Sequence, residues 1–176
     1  MSRPRPFRSL LCLALAASWG LAACSSSDEQ PVPISTAVVL EGDASEAQLE
    51  IFLNEKPREW AWAGGQFDSP DDHATLEAGT PLTFAWHADP ADFAEGGAAG
   101  EVVMTHLLLF STESNAHLLE VFTTLREYTP DATYWQKLVE ARKPITVSLT
   151  TGTFVGTGLP EEGGPFVGQE LTFTIE

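Results

Sequence analysis

From Phe67 onward, apolar and polar residues alternate over short segments separated by turn chemistry, which is the period of strands with one buried face. Leu82, Phe84 and Trp86 share one parity, with Thr83, Ala85 and His87 on the other. Ile145, Val147 and Leu149 alternate with Thr146, Ser148 and Thr150, and Leu171, Phe173 and Ile175 with Thr172 and Thr174. These predict half-buried strands. Between 101 and 111 both parities are apolar: Val102, Met104, Leu108 and Phe110 on one, Val103, Leu107 and Leu109 on the other. That pattern belongs to a strand covered on both faces or central in its sheet. The turn from Ser111 to Asn115 leads into 117–124 and predicts a hairpin. One helix is expected over 130–142, with Thr129 as cap and Pro130 in its first turn. Tyr134, Trp135, Leu138 and Val139 form its apolar face, Arg142 and Lys143 sit at its carbonyl end, and Pro144 stops it. The sum is a mainly β chain, an antiparallel β-sandwich with one short helix, since a sheet with one polar face buries the other against a second sheet.

Upstream the pattern supports two readings. Leu49, Ile51 and Leu53 alternate with Gln48, Glu50 and Phe52 ahead of the turn Asn54-Glu55-Lys56-Pro57 and Trp60-Ala61-Trp62, which predicts an N-terminal β-hairpin extension over 35–66. A helix competes, because Asp43 and Glu46 suit a capping box and Leu49, Phe52 and Leu53 recur at helical spacing. Residues 24–34, CSSSDEQPVPI, hold too little apolar area to fold and predict a flexible tether.

Residues 1–23 carry Arg3, Arg5 and Arg8, then an apolar stretch from Leu10 to Leu21, then small residues, the order of an export signal. As a helix that stretch would measure about 18 Å, short of the ~30 Å hydrocarbon core. Leu21-Ala22-Ala23-Cys24 resembles the lipobox of bacterial lipoproteins. The resemblance implies cleavage before Cys24, acylation of its sulfur and attachment of the chain to a membrane. Several acyl chains on one residue hold lastingly where a single one does not. In such lipoproteins an aspartate after the cysteine favours retention in the inner membrane; Ser25 stands there, which implies the outer membrane.

Removing the leader leaves six Lys plus Arg against 25 Asp plus Glu, a net charge of −19 on 153 residues. Such a surface repels nucleic acid, so no nucleic-acid partner is expected. Cys12 leaves with the leader, and no intrachain disulfide remains to be formed. Four tryptophans and nine phenylalanines beyond the leader supply ample core material for a folded domain.

The stretch FDSPDDHATLEAGTPLTFAWHADP and the terminal GPFVGQELTFTI resemble the immunoglobulin-like or fibronectin type III-like domains of bacterial envelope lipoproteins, over about residues 67–176. The resemblance implies a sandwich domain there. The helix over 130–142 departs from it, since such folds usually run directly into a strand.

No residue set announces catalysis. His73, His87, His106 and His117 show no metal-ligand spacing, His106 falls on an apolar parity that predicts burial, and no metal or other cofactor is expected. Asp68, Asp71 and Asp72 in one loop and Asp89, Asp92 and Glu95 in another flank a strand and read as solvated acidic loops. A GxSxG elbow, a Ser-x-x-Lys pair and a phosphate loop are lacking; Ser114 and His117 stand three apart with no third partner suggested. Two glycine-bearing loops, 88–100 and 150–164, are the places where a rigid sandwich carries binding residues, and Thr153, Phe154 and Leu159 form the candidate binding loop. The competing reading packs those side chains inward. The expected function is a lipid-anchored envelope protein, non-enzymatic, that binds an envelope protein or glycan or acts structurally. The alternatives are a ligand- or metal-binding envelope protein and a hydrolase assembled from scattered residues.

Overall fold

A computed structural model describes residues 38–59, 64–88 and 100–176. The leader, Cys24, the tether, Trp60 and Trp62, and residues 89–99 lie outside the described residues. In chain order the elements are β1 (Val39–Glu41), α1 (Glu46–Asn54), β2 (Arg58–Glu59), β3 (Gln66–Ser69), β4 (Ala74–Leu76), β5 (Phe84–His87), β6 (Val102–Thr112), β7 (Asn115–Thr123), β8 (Glu127–Tyr128), α2 (Ala132–Ala141), β9 (Ile145–Val155) and β10 (Phe166–Ile175). The protein is mainly β.

A seven-stranded sheet runs β1-β7-β6-β9-β10-β2, with β4 also paired to β10, and a second sheet runs β3-β5-β8. Their neighbours are antiparallel except at the rims, where β1 on β7, and β2 and β4 on β10, run parallel. The large sheet is therefore mixed, not wholly antiparallel. Its centre is β6, whose register sets Leu108 opposite Val121 of β7 and Leu149 of β9.

The two apolar parities of β6 are explained by cover on both sides. On the inner face Leu108 and Phe110 join Val147, Leu149, Leu171 and Phe173 and meet Phe84, Trp86 and Tyr128 of the small sheet, with Trp135 and Leu138 of α2 completing one core. On the outer face Leu107 packs into a second core made by Leu49, Phe52, Phe122 and Phe154. That second core lies under α1.

The hairpin expected over 35–66 is replaced by a strand, a helix and a strand. The Ser45 hydroxyl accepts from the Gln48 amide at 3.3 Å and the Gln48 side chain accepts from the Ser45 amide at 3.0 Å, a capping box displaced toward the C-terminus from the Asp43–Glu46 pairing. Helical spacing then turns Leu49 and Phe52 inward together, and Phe52 meets Phe122 edge to face at 5.3 Å. A strand would have sent those two side chains to opposite sides. The chain thus has two helices among the described residues, not one.

The second helix begins at Ala132 because Asp131, not Thr129, caps it, its carboxylate accepting from the Tyr134 amide at 2.8 Å. Thr129 instead shares a hydroxyl contact of 2.7 Å with Thr83. Arg142, at φ 48°, ends the helix in left-handed backbone and returns its amide to the Val139 carbonyl at 3.3 Å.

Candidate functional site

The segment expected as a binding loop continues a strand. Thr153 and Phe154 belong to β9, are 4% and 0% exposed, and Phe154 lies in the core under α1 with Leu159 packed against it. The reason is register: β9 pairs with β6 as far as Val155 opposite Val102, which extends the ladder through the threonines and glycine that suggested a loop. Phe154 and Leu159 pack beneath the helix, and Thr153 is buried on the opposite face of the strand.

The same ladder creates a different surface. Opposite the inner core, Thr146, Ser148 and Thr150 of β9 face outward, and register places Thr172 beside Thr146, Glu170 beside Ser148, and Ser111 and Leu109 of β6 on their other flank. Thr174 and Thr75 extend the patch onto β4. Hydroxyls within it contact one another, Thr146 with Thr172 at 3.2 Å and Thr75 with Thr174 at 3.4 Å, and Ser111 donates to the Thr146 carbonyl at 3.3 Å. No Lys or Arg occupies these register positions. Each hydroxyl both donates and accepts, so the patch offers hydrogen bonds of either sense without net positive charge.

A second polar cluster is internal. His106 is fully buried on the inner face of β6, its ring edge to face with Trp86 of β5 at 5.5 Å. Thr123 and Thr151 are its register neighbours on β7 and β9. Burial, reinforced by the positive charge of Arg126, depresses the imidazole to about 3, so the ring is neutral in the folded protein. Tyr128 of β8, also buried, has its phenol raised above the ordinary range by burial, with Glu41, Asp131 and Tyr134 adding to the effect.

The other histidines sit at the surface in pairs with carboxylates: His87 Nδ1 with Asp68 at 2.8 Å, His117 Nδ1 with Glu120 at 2.6 Å, and His73 Nε2 with Asp72 at 3.4 Å. Asp72 is also a structural tie, accepting from the Thr172 amide at 2.8 Å and the His73 amide at 3.1 Å. Ser114 contacts the Thr112 hydroxyl at 3.5 Å, while His117 is held by Glu120. Among the described residues no group of three or more His, Cys, Asp or Glu is placed to hold a metal ion. Asp89, Asp92 and Glu95 lie outside the described residues.

Comparison of the chain with protein-family models, with curated proteins and with solved structures returns no match. The hydroxyl patch was half legible in sequence, since the polar parities of 145–150 and 171–175 are written in their alternation. That the two strands lie side by side is a tertiary fact.

Proposed function

We propose that this chain is a lipid-anchored protein of the cell envelope, held at the outer membrane through acylated Cys24, whose β-rich body works as a non-enzymatic binding or structural module. The observation that carries the anchor is Leu21-Ala22-Ala23-Cys24 after a short apolar stretch and three arginines. The immunoglobulin-like reading of 67–176 draws support from the β3-β5-β8 sheet sharing one core with the inner face of the larger sheet. Binding is assigned to the outer hydroxyl patch around Thr146, Ser148 and Thr172. Its lack of cations and its flanking Glu170 suit an uncharged partner such as a neutral glycan or a polar protein surface.

The anchor is tested by fractionating cells that express wild type or Cys24→Ala. Wild type stays with membranes through high salt and alkali, and the variant is released; a variant that remains bound refutes the acyl anchor. The module is tested by pull-down from intact envelopes with wild type and Ser148→Lys, which places a charge in the centre of the patch. Equal recovery by both proteins refutes the assignment of binding to this face.

A further inference from the structure

Among the described residues, the buried side-chain polar atoms that lack a hydrogen-bond partner are Trp86 Nε1, both ring nitrogens of His106, and the Tyr128 hydroxyl. All lie where the small sheet meets the large one: Trp86 on β5 faces His106 of β6, and Tyr128 on β8 faces Phe110 of the same strand. Buried polar side chains elsewhere are served: the Thr105 hydroxyl donates to the Gly152 carbonyl, and that of Thr123 accepts from the Leu125 amide. A buried polar group without a partner is costly, and folded proteins keep few of them. Their concentration at one plane marks where water gains most by entering.

We propose that the β3-β5-β8 sheet is a separable layer that opens from the large sheet in mild acid, with protonation of His106 as the trigger. The small sheet is held to itself by short ladders and to β10 by the Phe67 amide, which donates to the Gln169 side-chain oxygen at 2.9 Å. β5 meets β8 through Phe84 with Tyr128 and Ala85 with Glu127, continued by the Trp86 amide donating to the Arg126 carbonyl at 3.1 Å, whereas β6 and β9 pair continuously from Val102 with Val155 to Ser111 with Thr146. Apolar contact keeps the layer shut while the imidazole is neutral: Phe84 lies 5.1 Å from Phe110 and 5.4 Å from Phe173, ring centre to ring centre.

Opening exposes three unsatisfied side chains to water and gives the imidazole its ordinary proton affinity. The closed form holds His106 at about 3 against an ordinary 6.5. The closed state therefore has its full advantage above about pH 6.5 and loses it progressively as the pH falls, because the open state binds a proton that the closed one refuses.

The groups around the ring do not offset this. β5 presents Trp86, β7 Thr123 and β9 Thr151, and the charge that bears on the ring is that of Arg126, which opposes protonation of the closed form further. His87, paired with Asp68, and Glu127 are exposed on the solvent side of the small sheet.

Hydrogen–deuterium exchange on the full-length protein in detergent, between pH 7 and pH 5 and corrected for intrinsic exchange, tests the proposal. Protection of Phe84–His87 and Glu127–Tyr128 falls about tenfold per pH unit below pH 6.5, the slope of one proton, while Leu107–Phe110 and Val147–Leu149 keep theirs. His106→Leu flattens that slope, with His106→Met serving in its place should the leucine variant not fold. His87→Gln leaves the slope unchanged. Tyr128→Phe, which removes one unsatisfied hydroxyl, lowers opening severalfold at every pH. The proposal is overturned if all strands lose protection together, if β5 stays protected at pH 5, or if the slope survives in the His106 variants or vanishes in His87→Gln.

Discussion

Gly64 and Gly168 pass backbone against backbone where β2 and β4 divide the edge of β10 between them. A Cβ on Gly168 would overlap the Gly64 carbonyl oxygen, and one on Gly64 would overlap the Val167 carbonyl. The register slip of β10 between Val167 and Glu170 lies at the same place, and the Gln169 amide there donates to the Gly65 carbonyl at 3.0 Å. Only residues without side chains permit that approach.

Gly168→Ala is accordingly expected to destabilise the protein by about 1–3 kcal/mol, since separating the two backbones would break the bond from the Gln169 amide to the Gly65 carbonyl beside them. Thermal unfolding measures it. Gly79→Ala is the control, because a Cβ there meets nothing within 4 Å; equal losses in the two variants would show that crowding is not the cause.

Phe154→Ala separates a core role from a recognition role. Phe154 is fully buried beneath α1 with Phe52 and Phe122, so truncation should cost about 3–5 kcal/mol in denaturant unfolding. A variant with wild-type stability would return Phe154 to the list of surface contacts.

Gly152→Ala probes the same core from below, because its Cβ would stand 2.7 Å from the Phe52 ring. We expect α1 to be displaced, with far-UV circular dichroism nearly unchanged and stability lower by about 1–3 kcal/mol. Pairing it with Phe52→Leu should recover part of the loss, which purely independent effects would not.

Ser45→Ala removes one arm of the capping box. The expected loss is about 1 kcal/mol, read as a lower unfolding midpoint, whereas Asp43→Ala should leave the helix intact because it is the Asp43 backbone amide that donates to the Thr124 hydroxyl.

Asp72→Ala cuts the tie between the β3–β4 turn and β10. Loss of the bonds from the Thr172 and His73 amides should cost about 1–2 kcal/mol and raise exchange at Thr172. Protection at Thr172 equal to wild type would show that the neighbouring ladder suffices.

Local pattern carried much of the fold. The strict alternations at 145–150 and 171–175 and the doubly apolar run at 101–111 appear as strands, and the helix expected over 130–142 appears at Ala132–Ala141 with Asp131 rather than Thr129 as its cap, because hydrophobic period acts over a few residues and needs no distant partner. The burial of His106 was legible for the same reason, since it shares a parity with Leu108 and Phe110. Residues 45–54 were ambiguous because their apolar positions satisfy two periods at once, and the balance was tipped by the Ser45–Gln48 box and by a waiting surface of Phe122 and Phe154.

What the sequence by itself determined is the alternation that makes strands, the acidic balance, and the leader motif that proposes an anchor, all of them properties of neighbouring residues or of totals. Tertiary structure alone decided that β1, β2 and β4 join the large sheet in parallel, that Thr153 and Phe154 turn inward, and that the hydroxyls of β9 and β10 form one surface. Those outcomes depend on which strand edges meet across long stretches of chain. Such pairing is settled by the packing of whole layers, and no local period encodes it.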